Sequence, residues 1–62
     1  MILVGIDVAK NKHDCLIINS NGEVLANSFT IPNSMDGFLS LYSKICSYSI
    51  NDPEIKIGLE AT

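Results

Sequence analysis

The stretch VGIDVAKNKHDCLIINSNGEVL, residues 4–25, decides the fold of this chain. Its first strand, Ile2–Val8, is apolar at every position except Gly5 and Asp7, which favours a central strand buried on both faces. Asp7 interrupts this pattern, because a carboxylate in such a strand loses its hydration and needs a compensating partner. The sequence therefore predicts either a partner for Asp7 or a chemical use for it.

Two turns divide this stretch into antiparallel strands. The polar run at residues 10–12 predicts a hairpin turn, followed by a second strand at about residues 14–18. The Asn-Gly pair at residues 21–22 readily supplies the positive φ angles of a tight hairpin. A third strand then covers about residues 23–31, and we expect Pro32 to end it because proline lacks a backbone donor.

A helix and a fourth strand complete the chain. Asn33 or Ser34 can cap the helix, and its apolar residues recur at helical spacing: Phe38, Leu41, Tyr42, Ile45 and Tyr48. The fourth strand alternates over residues 55–60. The element order β-β-β-α-β predicts an α/β fold, and a crossover helix returns strand four beside strand one. The predicted mixed sheet has the order 3-2-1-4.

Length and charge limit the possible functions. The chain has 62 residues and a net charge of −3, with four lysines and no arginine. It lacks the basic patch of a self-sufficient nucleic-acid binder, but a bound metal ion can invert the local electrostatics. We find no apolar run long enough to span a membrane and no signal-peptide pattern, so we expect a cytoplasmic protein. Cys15 and Cys46 are expected to be free thiols.

Two acids occupy the same position in similar four-residue segments near the two ends of the chain. Residues 5–8 read Gly-Ile-Asp-Val and residues 58–61 read Gly-Leu-Glu-Ala. On neighbouring parallel strands, Asp7 and Glu60 would come together at the carboxyl ends, where open α/β sheets bind ligands. Two adjacent carboxylates suit Mg²⁺, which is commonly held by one or two carboxylates together with waters and phosphates. In the alternative interpretation, Asp7 caps the following turn and Glu60 ends an exposed strand.

Two lysines follow the first acid closely. Lys10 and Lys12 could contact a phosphate backbone, although lysines in a hairpin turn are commonly only solvated. His13 is interpreted as a hairpin residue rather than a metal ligand.

These motifs resemble a known family. The segments GIDVAKNKHD, NSNGEVL, IPNSMDGFLSL and IGLEAT are similar to the N-terminal segment of DEDD-type insertion-sequence transposases, which have a RuvC-like, ribonuclease H-like domain and are related to site-specific DNA invertases. The resemblance covers essentially the whole chain. It implies that Asp7 and Glu60 match the first two acids of the DEDD set, and that Lys10 matches a position beside the first acid.

The resemblance also implies an activity and its partners. It implies Mg²⁺-dependent DNA cleavage and strand transfer by a parent protein, of which residues 1–62 would be the N-terminal part of the catalytic domain. Candidates for the third and fourth acids are not found in the sequence, so we expect the chain alone to be inactive. In relatives, a structured RNA can guide target choice, and a serine in a separate C-terminal domain takes part in the chemistry.

Two other classes of function stay open. Sugar-kinase and actin-like ATPases share the β-β-β-α-β start, but a glycine-rich hairpin follows their first acid, and residues 8–12 contain no glycine. A non-catalytic interaction module is the other alternative. ATP binding would favour the kinase-like class, and Mg²⁺-dependent DNA nicking would favour the transposase.

One helix cannot cover both faces of a four-stranded sheet. We therefore expect apolar side chains on the uncovered face, and an unpaired edge at strand four. Both features predict a homo-oligomer of this chain, formed by face packing or by edge pairing.

Overall fold

The computed structural model describes residues 1–61 as a four-stranded mixed sheet with one helix packed on one face. The strands are β1 (Ile2–Val8), β2 (Lys12–Asn19), β3 (Val24–Pro32) and β4 (Ile55–Ala61), and helix α1 (Met35–Tyr48) lies between β3 and β4. The order across the sheet is β3-β2-β1-β4. The predicted α/β class, element order and sheet order are therefore confirmed.

Strand β1 is an inner strand of the sheet, between β2 and β4. It pairs antiparallel with β2 and parallel with β4, while β2 pairs antiparallel with β3. The turn between β2 and β3 contains Gly22 with φ 84°, whereas Asn21 has no positive φ, so the Asn-Gly pair supplies one positive φ angle and not two. Two register irregularities interrupt the β2–β3 pairing between Cys15 and Ile18.

The core lies between the helix and one face of the sheet. Its buried apolar residues alternate along the strands and recur on one side of α1: Ile2, Val4, Ile6, Cys15, Ile17, Ile31, Leu41 and Ile45. His13 is the one buried polar or charged residue found among residues 1–61. The hydrophobic effect thus stabilises a two-layer arrangement in which α1 covers β1, β2 and β3.

The opposite face of the sheet is open, which corrects one expectation. Strand β1 is buried on one face only, and Gly5 and Asp7 on the other face are exposed. The Asp7 carboxylate therefore keeps its hydration, and the large desolvation penalty of a doubly buried strand does not arise.

Helix α1 begins after a serine N-cap, and its first turn lies close to the end of β3. Ser34 is the N-cap, and its Oγ accepts a hydrogen bond of 3.2 Å from the Gly37 N–H. A Cβ atom at Gly37 would overlap the carbonyl oxygen of Pro32, the last residue of β3. Gly37 therefore allows the helix to start directly above the end of that strand.

Strand β4 is only partly covered by the rest of the structure. Its apolar residues Ile55, Ile57 and Leu59 lie on the helix side of the sheet, since they pair with core residues of β1. They are 41%, 52% and 71% exposed, because α1 packs against β3 and β1 rather than over this edge. Apolar side chains are therefore exposed beside the helix as well as on the open face, where Leu3, Leu16 and Ile18 line a groove. Within residues 1–61 no helix has the length and apolar character needed to cross a membrane.

Candidate active site

Asp7 and Glu60 are register partners on the adjacent parallel strands β1 and β4. Their Cα atoms are therefore about 4.8 Å apart, the usual spacing between paired strands. Both residues are exposed on the open face, one residue before the carboxyl ends of their strands. The two acids singled out in the sequence thus lie side by side, at the end of the sheet where α/β proteins bind ligands.

A third carboxylate, that of Asp14, lies in line with those of Asp7 and Glu60, and these three residues form an acid row. Asp14 on β2 is the register partner of Asp7 on the side away from Glu60. Its Oδ1 accepts a hydrogen bond of 2.8 Å from the Oγ1 hydroxyl of Thr30 on β3. Asp7 therefore stands between two other acids, and like charges directly opposite one another repel.

Asp14 is not among the site residues predicted from the sequence, although the register of the first hairpin identifies it. In an antiparallel hairpin, the position of the turn fixes every cross-strand pair. A turn centred near residues 10–11 makes residue 14 the partner of residue 7.

The sheet face next to the acid row is open above two glycines. Gly5 and Gly58 are register partners two residues before Asp7 and Glu60, on the same face of the sheet. A groove of about 690 Å³ opens there, and its lining includes Asp7, Asp14 and Glu60. The acids therefore face an open groove that can admit a ligand.

The turn after Asp7 is held in place from two sides. The backbone N–H of Ala9 donates a hydrogen bond of 3.2 Å to Nδ1 of His13. The side-chain amide of Asn33 donates a hydrogen bond of 3.1 Å to the carbonyl oxygen of Lys10. His13 is buried and stacks on Phe38, with the ring centroids 5.6 Å apart. Its observed contacts are those of a structural residue, as the sequence analysis expected.

The two predicted DNA-binding lysines, Lys10 and Lys12, are not among the residues that line this groove. Lys10 is exposed in the turn that follows the first acid, and Lys12 begins β2. Lys12 lies on the same face as Asp14, since side chains alternate along a strand. Lys44 lies instead on the helix, over the ring of Phe29.

The carboxylates of Asp7 and Glu60 supply part of the ligand set that a hard divalent cation needs. Asp7 and Glu60 offer carboxylate oxygens on a shared face, and the two glycines leave the coordination space open. Such ions commonly take one or two protein carboxylates and complete their shell with water and substrate phosphates. Among residues 1–61, however, no group of three His, Cys, Asp or Glu side chains is arranged to hold a metal ion. The two acids therefore make up only part of a site.

Comparison with known proteins gives the family. The profile of the DEDD_Tnp_IS110 family, described as a transposase, matches residues 4–62. The chain belongs to this family, and its general role is that of a transposase, a class of protein that acts on DNA with divalent metal ions. No match was found among the curated proteins or among the solved structures.

Proposed function

We propose that this chain is the N-terminal part of a ribonuclease H-like catalytic domain, in a transposase that cleaves DNA and transfers strands with Mg²⁺. The observation that carries the proposal is the parallel register of Asp7 and Glu60, within a chain that matches a transposase family over residues 4–62. In this proposal both acids are catalytic residues and metal ligands. The reaction takes place in the cytoplasm.

The carboxylates of Asp7 and Glu60 would hold the cation at the carboxyl end of β1 and β4. When bound, such an ion polarises a phosphodiester and supplies a nucleophile at neutral pH by lowering the pKa of water. The chain's own residues orient these ligands. The β1–β4 ladder fixes the spacing of the two acids, and the hydrogen bond between Ala9 and His13 holds the turn that follows Asp7.

Lys10 and Lys12 supply a second element of the proposal. They follow Asp7 closely in the sequence, in a chain whose net charge is −3. A DNA phosphate is repelled by the acid row until a cation neutralises it, and the lysines then add attraction near the cut. We therefore propose that Lys10 and Lys12 contact the DNA backbone close to the acids.

Two further partners belong to the same proposal. The family resemblance extends to transposases that choose their targets with a structured RNA, and ribonuclease treatment of the purified complex before the cleavage assay tests for that partner. The bare edge and apolar side chains of β4 favour self-association of the 62-residue chain.

The test uses the complete transposase with Asp7→Asn and Glu60→Gln. We expect either change to reduce Mg²⁺-dependent cleavage of a duplex carrying an end of the element by roughly two orders of magnitude or more. DNA binding is expected to remain. Glu54→Gln is the matched control, because Glu54 is an exposed acid at the opposite end of β4. Full cleavage by Asp7→Asn would refute the catalytic assignment, and ATP binding without cleavage would favour the kinase-like class instead.

A further inference from the structure

Strand β4 has a free edge on the side away from β1. Among the residues that the structure describes, β4 pairs with β1 alone, and all of Ile55–Ala61 is exposed. The N–H of Ile2 donates a hydrogen bond to the carbonyl oxygen of Glu54, so the even-numbered residues of β4 direct their backbone groups to β1. The backbone groups of residues 55, 57, 59 and 61 therefore point outward. Such a row of donors and acceptors can pair with another strand.

The side chains of β4 are arranged about Gly58 so that they complement a reversed copy of the same strand. Lys56 and Glu60 lie two residues to either side of Gly58, on the open face of the sheet. Ile57 and Leu59 lie next to it on the helix side, where they are 52% and 71% exposed. A reversed copy thus brings opposite charges together on one face and apolar side chains together on the other.

We propose that the free edge of β4 binds the β4 strand of a second copy of this chain, antiparallel and centred on Gly58. In this register Gly58 faces its own counterpart, Lys56 faces Glu60 of the second copy, and Ile57 faces Leu59. The same contacts recur on the other side of a two-fold axis, because both copies use the same surface. All seven residues of the strand are paired, and one continuous sheet runs through both copies.

The backbone of β4 allows this register. Hydrogen bonds between the two copies need outward-pointing groups on both strands, so odd-numbered residues must face odd-numbered residues, as Ile57 and Leu59 do. Lys56 and Glu60 then form non-hydrogen-bonded pairs, in which the Cα atoms are about 4.5 Å apart and the side chains are close. A slip by one residue would place the side chains of one strand on the opposite face.

Charge selects this register among those that the backbone allows. A lysine on an edge strand commonly discourages pairing, but opposite charges that face each other across two strands attract. With the centre one residue earlier, Glu54 faces Glu60, and like charges repel. With the centre one residue later, Glu60 faces Gly58 and has no cation opposite. The register centred on Gly58 instead places Lys56 of each copy beside Glu60 in the acid row of the other.

The first test reverses these charges in the 62-residue chain. Lys56→Glu alone and Glu60→Lys alone each place like charges opposite one another, and sedimentation should show the dissociation constant of the dimer raised by about tenfold or more. An equimolar mixture of the two variants should restore association, since every charge then faces its opposite. Lys12→Glu, on β2, is the control for the change in net charge.

Two results of this test would overturn the proposed register. One is an equal loss of association in Lys12→Glu and Lys56→Glu. The other is a mixture of Lys56→Glu and Glu60→Lys that associates no more strongly than either variant alone. Circular dichroism of each variant shows that it is folded before its association is measured.

The second test uses a disulfide to detect the two-fold axis. Gly58→Cys, in a Cys46→Ser background that removes the exposed thiol, places two thiols opposite each other at a Cα spacing that suits a disulfide. A Cβ atom at Gly58 meets no heavy atom within 4 Å. Oxidised glutathione should therefore link the two copies. Lys56→Cys should not link, because its counterpart lies about 13 Å along the strand. Equal linkage by the two variants, or none by a folded Gly58→Cys variant, would overturn the register.

This interface needs neither DNA nor a metal ion, so it can fail while the proposed function holds. A folded monomer at tens of micromolar would overturn the second copy as the occupant and leave the free edge to a strand from elsewhere in the complete transposase. Cleavage by Asp7→Asn would refute the proposed function and leave the interface unaffected.

Discussion

The imidazole of His13 accepts a hydrogen bond of 3.2 Å from the backbone N–H of Ala9, two residues beyond Asp7. The same ring stacks on Phe38 at the start of the helix. One buried side chain thus joins the turn behind the first acid to the helix that covers the core. The position of this turn, and of Lys10 within it, therefore depends on the packing of the opposite face.

Replacing His13 should destabilise the chain. His13→Ala removes a buried ring and leaves the Ala9 N–H without its partner, and we expect a loss of about 2 kcal/mol in the free energy of unfolding. Urea denaturation followed by circular dichroism measures it. Asn11→Ala, an exposed change in the same turn, is the control and should have little effect. An equal effect of the two changes would contradict a structural role for the ring.

Gly37→Ala should destabilise the chain, although alanine usually stabilises a helix relative to glycine. Alanine is favoured over glycine by about 1 kcal/mol at an ordinary helix position. Here the new Cβ would overlap the Pro32 carbonyl oxygen, which is backbone and cannot move without shifting β3 or the helix. We expect a net destabilisation of about 1–3 kcal/mol. Ser40→Ala, at an exposed position of the same helix, should instead be neutral or slightly stabilising.

The two thiols should react at very different rates. Cys15 is 2% exposed, and burial together with the nearby charge of Asp14 raises the pKa of its thiol. Cys46 is exposed on the helix. A disulfide-exchange reagent should therefore titrate one thiol of the folded chain promptly and the second only on unfolding. Prompt reaction of both thiols in the folded chain would contradict the burial of Cys15.

The same pKa shift gives a dependence of stability on pH. The unfolded chain releases the Cys15 proton at the ordinary thiol pKa, while the folded chain keeps it to a higher pH. The folded state therefore binds more protons in this range, and stability should fall as pH rises past the ordinary thiol pKa. Cys15→Val should remove that decline, as measured by urea denaturation across alkaline pH.

The acid row should oppose folding in the absence of metal. Asp7 stands between Asp14 and Glu60, so Asp7→Asn relieves two repulsive pairs and should stabilise the metal-free chain by a few tenths of a kcal/mol. High salt should reduce this gain by screening. Millimolar Mn²⁺ should raise the melting temperature of the original chain but not that of Asp7→Asn. Glu54→Gln is the control for the loss of a negative charge elsewhere.

Self-association of the 62-residue chain should depend on β4. The edge strand is unpaired on one side, and Leu59 is 71% exposed. Sedimentation at tens of micromolar should detect a dimer or a larger assembly, and Leu59→Lys should reduce it because charges on an edge discourage pairing. Leu39→Lys adds the same charge on the outer side of the helix. A folded monomer at that concentration would contradict this prediction.

The topology could be predicted from the sequence because local signals were consistent with one another. The polar turns predict where the strands end, and the serine cap and the helical spacing predict the helix. The crossover then leaves only the position beside β1 for β4. Burial was harder to predict, because the run Ile2–Val8 contains apolar residues at positions of both faces. The buried face of β1 is the one on which α1 packs, and the packing of α1 depends on contacts between residues that are distant in the sequence.

The acid pair could be predicted because Gly-x-acid occurs at both ends of the chain. Asp14 was missed because it is not part of any repeated motif, and only the register of the hairpin brings it beside Asp7. By helix propensity alone, a glycine such as Gly37 only weakens a helix. Its role depends on a contact with Pro32 that no local pattern reveals.

The parallel pairing of β1 with β4 also sets the order of events during folding. The hairpins that join β1, β2 and β3 close short loops, whereas Asp7 and Glu60 meet only when the two ends of the chain come together. Contacts between distant segments form late, since the entropy of closing a long loop must be overcome first. Backbone amides of β4 should therefore exchange with deuterium sooner than those of β2. We therefore expect β1 to pair with β2 before the two acids meet, so that the candidate metal ligands come together late in folding.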